Sequence, residues 1–133
     1  MDTLTLADAR TVIAAAEVRA TEIGQPMNIA VVDAGGNLIS HVRMDGAWLG
    51  SIDISMSKAW TSRAFDIQTK DLGENSQPGN QFYGIHASYL GKVMIFAGGV
   101  PLARDGQVVG AVGVSGGSGE QDQTVAEAGA AAI

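Results

Sequence analysis

VPLARDGQVVGAVGVSGGSGEQDQTV, residues 100–125, carries two apolar, β-branched runs, a two-residue turn and the start of a helix. Asp105-Gly106 is the strongest hairpin signal in the chain, because Gly and Asp tolerate the positive φ that a tight hairpin turn demands. Beyond Val114 the character changes. Gly116, Gly117 and Gly119 permit a sharp corner, and Ser118 with Gln121 three residues later is a capping box for a helix that runs to the end. The C-terminal third therefore reads strand, hairpin, strand, corner, helix.

Working outward, KVMIFAG (92–98) reads as a further strand ahead of this hairpin. NIAVVDA (28–34) is a buried strand, and LISHVRM (38–44) is its partner across Gly35-Gly36-Asn37. At the N-terminus Thr5 caps a helix, with Asp8 three residues later. Leu6, Ala9, Val12, Ile13, Ala16, Ala20 and Ile23 recur at helical spacing, and Gly24 supplies a stop. A second helix spans 50–68, with Ile52, Met56, Ala59 and Arg63 on one face and Ile54, Lys58 and Phe65 elsewhere. A shorter third helix covers 70–75, and SQPGNQFYG (76–84) has turn chemistry throughout. The order is α-β-β-α-α-β-β-β-α, an α+β domain with an antiparallel five-stranded sheet covered by helices.

The totals narrow the function. With 133 residues, 46% hydrophobic and 17% charged, the chain fits one globular domain, 1–133. A net charge of −6 and the absence of any Lys/Arg cluster leave no footprint for nucleic acid or for an anionic membrane. The chain contains no cysteine, which removes disulfides, thiolate catalysis and Cys-ligated zinc. MDTLTLADAR lacks the basic start and apolar run of a signal peptide, so the expected compartment is the cytoplasm.

Few residues are left to carry chemistry. The glycine corner bears two acids, Glu120 and Asp122. Each either complements the helix dipole or faces a cleft and accepts a proton or hydrogen bond. No lysine follows the glycines, so the corner is not a P-loop. Arg43 ends a strand beside Asp45, as a local ion pair or as a fork for a substrate carboxylate. Lys58 sits mid-helix in SMSKAWTSRAF, whose polar, small-residue character on more than one face suggests a helix touching a neighbour or a cleft. His41 lies among apolar strand residues. His86 follows QFYGI and, with Tyr83, is the better candidate for ligand contact, since loops carry function more often than cores. The two histidines have no metal-ligand spacing, and no metal site is expected.

Four blocks in order, VVDAGGNLISHVRMDGA, SKAWTSRAF, QPGNQFYGI and GGVPLARDGQVVGAVGVSGGSGEQD, resemble the GlcG/HbpS-like family. It is also called the haem-degrading domain family, and similar domains end some corrinoid adenosyltransferases. The resemblance covers nearly the whole chain. It implies a profilin-like fold, homo-oligomers from dimer to octamer, and in some members binding of haem or a cobalamin-related tetrapyrrole, while other members sit among catabolic proteins. By motif it singles out Gly98, Gly99, Pro101 and Leu102, then Ser115 to Gly117 with Glu120 to Asp122, then Arg43 to Ala47. Many members carry histidine after the first Gly-Gly, where this chain has Asn37. For haem, the candidate axial ligands are then His41, His86, Met44 and Tyr83.

Two functions follow as expectations. One is an oligomeric binding protein holding a tetrapyrrole or another small apolar-anionic ligand near residues 80–90, with Met44, Tyr83, His86, Gly98 and Gly99 in contact. The other is a cofactor-free lyase, isomerase or hydratase acting on a small oxidised carboxylate. There Arg43 holds the carboxylate, and Lys58, His86, Glu120 or Asp122 moves the proton.

Overall fold

A computed structural model describes residues 2–133. Helix α1 (Leu6–Glu22) starts as its cap dictates: the Thr5 side chain accepts from the Asp8 N–H while the Asp8 side chain accepts from the Thr5 N–H. Its Ala9, Val12, Ile13, Ala16 and Ala20 are buried, and the chain then turns at Gly24. Strands β1 (Asn28–Asp33) and β2 (Leu38–Arg43) form the expected hairpin across residues 34–37. Helix α2 (Ser51–Phe65) and short helix α3 (Thr69–Glu74) follow, then an irregular stretch and a 3-10 segment, Ile85–Gly91. Strands β3 (Gly99–Arg104) and β4 (Gln107–Ser115) close the second hairpin at Asp105-Gly106, and helix α4 (Gly119–Ala130) ends the fold.

The sheet has four strands, in the order β2-β1-β4-β3, all antiparallel. The fifth strand expected at KVMIFAG (92–98) does not form, and the reason is where its backbone finds partners. The Met94 N–H donates to Thr61 Oγ1 at 3.0 Å, and the Gly98 N–H donates to Gln123 Oε1 at 3.1 Å. The Ile95 carbonyl presses against Gly73 of α3, where any Cβ would collide with it. Side chains and tight helix contact thus satisfy a segment whose apolar pattern alone suggests a strand.

The helices lie on both faces. Helices α1 and α4 cover one, burying Val12, Val125 and Ala126 against Ile29, Val31, Val112 and Val114. Full burial of each such valine or isoleucine stabilises the fold by about 1.5–3 kcal/mol. The opposite face carries α2, and here the packing is unusual. The buried side of α2 is Ser51, Ser55, Lys58, Ala59 and Ser62, while Ile52, Ile54 and Met56 are only half buried. Of the face read through Ile52, Met56, Ala59 and Arg63, Ala59 is buried and Met56 packs with it against Ala30, Val32 and Ala111 of the sheet, and small polar residues make the rest of the contact. Small residues let the helix backbone approach Gly113 of β4, where a Cβ would strike Ser55 and Ala59 backbone atoms. No helix among the described residues is long and apolar enough to cross a membrane.

Candidate functional site

The residues singled out in the sequence come together in three groups. The first lies inside. Close approach of α2 carries Lys58 into the gap between the end of β4 and the first turn of α4, where it is 0% exposed. Its Nζ donates to the Val114 carbonyl at 2.9 Å and to Asp122 Oδ2 at 2.9 Å, and the Phe96 ring centroid lies 4.8 Å away. The Gly117 N–H donates to the other carboxylate oxygen at 2.9 Å. Burial pushes the Lys58 ammonium down and the Asp122 carboxyl up, while their mutual attraction opposes both shifts.

Gly98 and Gly99 belong to the same knot. A Cβ on Gly98 would meet Lys58 Nζ and Val114 O, and the Gly99 N–H donates to Thr69 Oγ1 at 2.8 Å. These glycines leave room for the ion pair. The corner itself needs Gly116, whose φ of +147° and contact with Pro26 O exclude a side chain. Ser118 and Gln121 form the expected capping box. Asp122 points inward and Glu120 is exposed, so the two acids of the corner part company.

The second group sits at the end of β2. Arg43 donates weakly to the Ala47 carbonyl at 3.4 Å and makes no ion pair with Asp45 among the described residues. Arg43, Met44 and Asp45 line an open groove of about 380 Å³ with Glu17 and Val42; neither the Lys58–Asp122 pair nor Tyr83 and His86 line it. Nearby, the Asn28 amide donates to the Trp48 carbonyl at 2.9 Å, which turns Asn28 Oδ1 toward His41 Nε2 at 3.0 Å. That nitrogen therefore carries the proton and is occupied. Burial, then the Arg43 charge, holds the His41 ring below its ordinary pKa.

The third group is the surface formed by residues 82–90. Tyr83 and His86 pack edge to face with ring centroids 6.0 Å apart, and both are exposed. Phe82, Tyr89 and Leu90 are exposed beside them in sequence. Tyr89 and Leu90 hold consecutive left-handed conformations, φ +54° and +57°. Each costs a non-glycine residue roughly 1–2 kcal/mol. Trp60 of α2 secures this turn from below, edge to face with Tyr89 at 4.9 Å, and Lys92 lies over the same indole at 4.3 Å.

Sequence reasoning did not single out the groove beside Trp60, of about 350 Å³, which Asn37, Asp53, Ser57 and Lys92 also line. Val32, Gly36, Asn37 and Leu38 fall in the first motif block and Ser57 and Trp60 in the second, but nothing local shows that the β1–β2 hairpin, α2 and the end of the 3-10 segment meet there. The acid–base set Arg43, Lys58, His86 and Glu120 is spread over the three groups and the exposed corner.

Comparison with known proteins places this geometry. Residues 4–131 match the model of a family described as haem degrading protein HbpS-like. The chain is 43% identical over 119 residues to the corrinoid adenosyltransferase PduO of Citrobacter freundii, covering 90% of this chain and 36% of that protein. It superposes on Klebsiella pneumoniae protein ORFY with a TM-score of 0.97, at 42% identity over 99% of this chain and 91% of that one. A solved complex of PduOC with haem gives a TM-score of 0.93 at 39% identity, covering 98% of this chain and 94% of that one.

Proposed function

Because the chain belongs to the HbpS-like family, we propose that it is an oligomeric binding protein for haem or a related tetrapyrrole, with His86 as the axial ligand. The single observation that carries the reading is the likeness to PduOC, a protein solved with haem, over almost the full length of both chains.

The residues at the 82–90 surface suit such a ligand. A haem iron takes an axial donor such as an imidazole nitrogen, and the ring lies well on an apolar platform. His86 is exposed and makes no side-chain hydrogen bond among the described residues, whereas His41 is half-buried in strand β2 with one ring nitrogen on Asn28. Tyr83 flanks His86, and Phe82, Tyr89 and Leu90 add exposed apolar surface to the same segment. Bound haem would supply a redox-active iron. The chain's own part is to hold the ring, orient it and shield one side from water.

Oligomerisation is part of the same reading. Trp48, Leu49, Tyr83, Tyr89 and Leu90 are each more than half exposed, the last completely. Large apolar side chains on this scale are costly to leave in water and favour an interface. The 13.6 kDa chain is expected to assemble as a dimer or larger.

A thermal-shift screen tests the ligand class. Haemin, cobalamin and small keto- and hydroxy-acids are added in turn, and a ligand that binds only the folded form raises the midpoint by mass action. Haemin is expected to raise it. A midpoint moved by the acids alone would overturn the tetrapyrrole reading.

A further inference from the structure

On the α2 side of the sheet, the groove of about 350 Å³ beside Trp60 has features that the haem reading does not use. Val32, Met56 and Trp60 give it an apolar lining, and Asn37, Asp53, Ser57 and Lys92 bring polar groups to it. Its volume is within the range of small-molecule pockets, and a few convergent polar groups on an apolar lining are what orient such ligands.

Its charged groups, Asp53 and Lys92, have no ion-pair partner among the described residues, neither each other nor any third group. Ser57 is only 6% exposed, and its hydroxyl makes no hydrogen bond to a described residue. Among the described residues every fully buried side-chain polar atom has a partner, so this hydroxyl keeps some exposure, and Ser57 lines the groove. Lys92 is held over the Trp60 ring, which fixes the position of its charge.

One free anion and one free cation in a single groove, too far apart to pair, complement a ligand of opposite polarity with separated charges. We propose that this groove binds a small zwitterion whose amine and carboxylate are joined by an alkyl chain, the class of the ω-amino acids. The ligand carboxylate meets Lys92, its ammonium meets Asp53, and its methylenes lie on Met56 and the Trp60 indole. Asn37 and Ser57 supply the remaining hydrogen bonds. A monocarboxylate would leave Asp53 unanswered and an amine would leave Lys92 so. The site uses neither His86 nor Tyr83, and it meets the 82–90 surface only where Trp60 packs on Tyr89.

The test uses the two tryptophans of the chain. Trp60 lines the groove and Trp48 does not, so the Trp60 indole N–H signal in a proton–nitrogen correlation spectrum reports binding, with Trp48 as internal reference. γ-Aminobutyrate, butyrate and n-butylamine are titrated into the whole protein to high millimolar concentration. The expected result is a saturable Trp60 shift with γ-aminobutyrate, and affinities at least about tenfold weaker for the two singly charged probes. Lys92→Met should reduce γ-aminobutyrate to the level of butylamine, and Asp53→Asn to the level of butyrate, with the Trp48 signal unmoved. A Trp60 signal that ignores all three probes overturns the proposal, as do three equal responses or variants that keep the parent affinity. The probe series on the parent protein decides without any variant.

Discussion

At the scale of single residues, the largest fully buried side chain among the described residues is a cation, Lys58, and its counter-charge among them is Asp122. Taking both out of water is expensive, and the ion pair with its further hydrogen bonds offsets that cost without a large surplus. The asymmetry gives a prediction. Lys58→Met leaves Asp122 as an uncompensated buried charge and is expected to cost about 3–5 kcal/mol in urea denaturation. Adding Asp122→Leu should recover part of that loss; an unchanged midpoint in the single variant would show that the pair does not hold the fold. Asp8 gives the clearest pH effect. Its hydrogen bond from the Thr5 backbone, then the one from Arg104, lowers its carboxyl below the ordinary value of 3.8. The native state therefore binds fewer protons than the unfolded chain between the lowered value and 3.8. The stabilisation is present above that window and is lost as pH falls through it. Asp8→Asn should flatten this part of the acid limb in denaturation measured from neutral pH downward, and a variant with the parent's limb would contradict the assignment.

At the scale of elements, the contact between α2 and β4 is backbone on backbone. Gly113→Ala places a methyl against Ser55 and Ala59 main-chain atoms that cannot move without the helix. Overpacking of this kind costs about 1–3 kcal/mol, so the denaturation midpoint should drop accordingly; a midpoint equal to the parent's would mean that the helix is free to lift. The same contact explains what was legible in the sequence. Periodicity and caps identify α1 and α4, and Asp105-Gly106 identifies the β3–β4 hairpin, because those signals are local. The buried face of α2 was legible only in part. Its small polar residues point to a close neighbour, but no local pattern shows that the neighbour is Gly113 of β4. The apolar run 92–98 misled for the complementary reason: Thr61 and Gln123, distant in sequence, take the backbone bonds that a neighbouring strand would have used. Of the site, the motif blocks around Lys58, Gly98 and Asp122 converge, but on an interior ion pair. The Trp60 groove stayed hidden because three separate elements build it.

At the scale of the whole molecule, the sheet and its helices form a packed frame, and residues 82–90 lie mostly exposed beside α2. The strained Tyr89-Leu90 turn, braced on Trp60, keeps Leu90 wholly in solvent. Sedimentation at micromolar concentration should show a species larger than the 13.6 kDa chain, and only a monomer would remove the oligomer from the account. The central claim is the haem-class ligand held by His86, and an absorbance titration of haemin into parent and His86→Ala protein tests it most directly. The account predicts a shifted, saturable Soret band with the parent, and a loss of affinity of about tenfold or more, roughly 1.4 kcal/mol, in the variant. A parent that leaves the haemin spectrum unchanged, or a variant that binds as tightly as the parent, would contradict it.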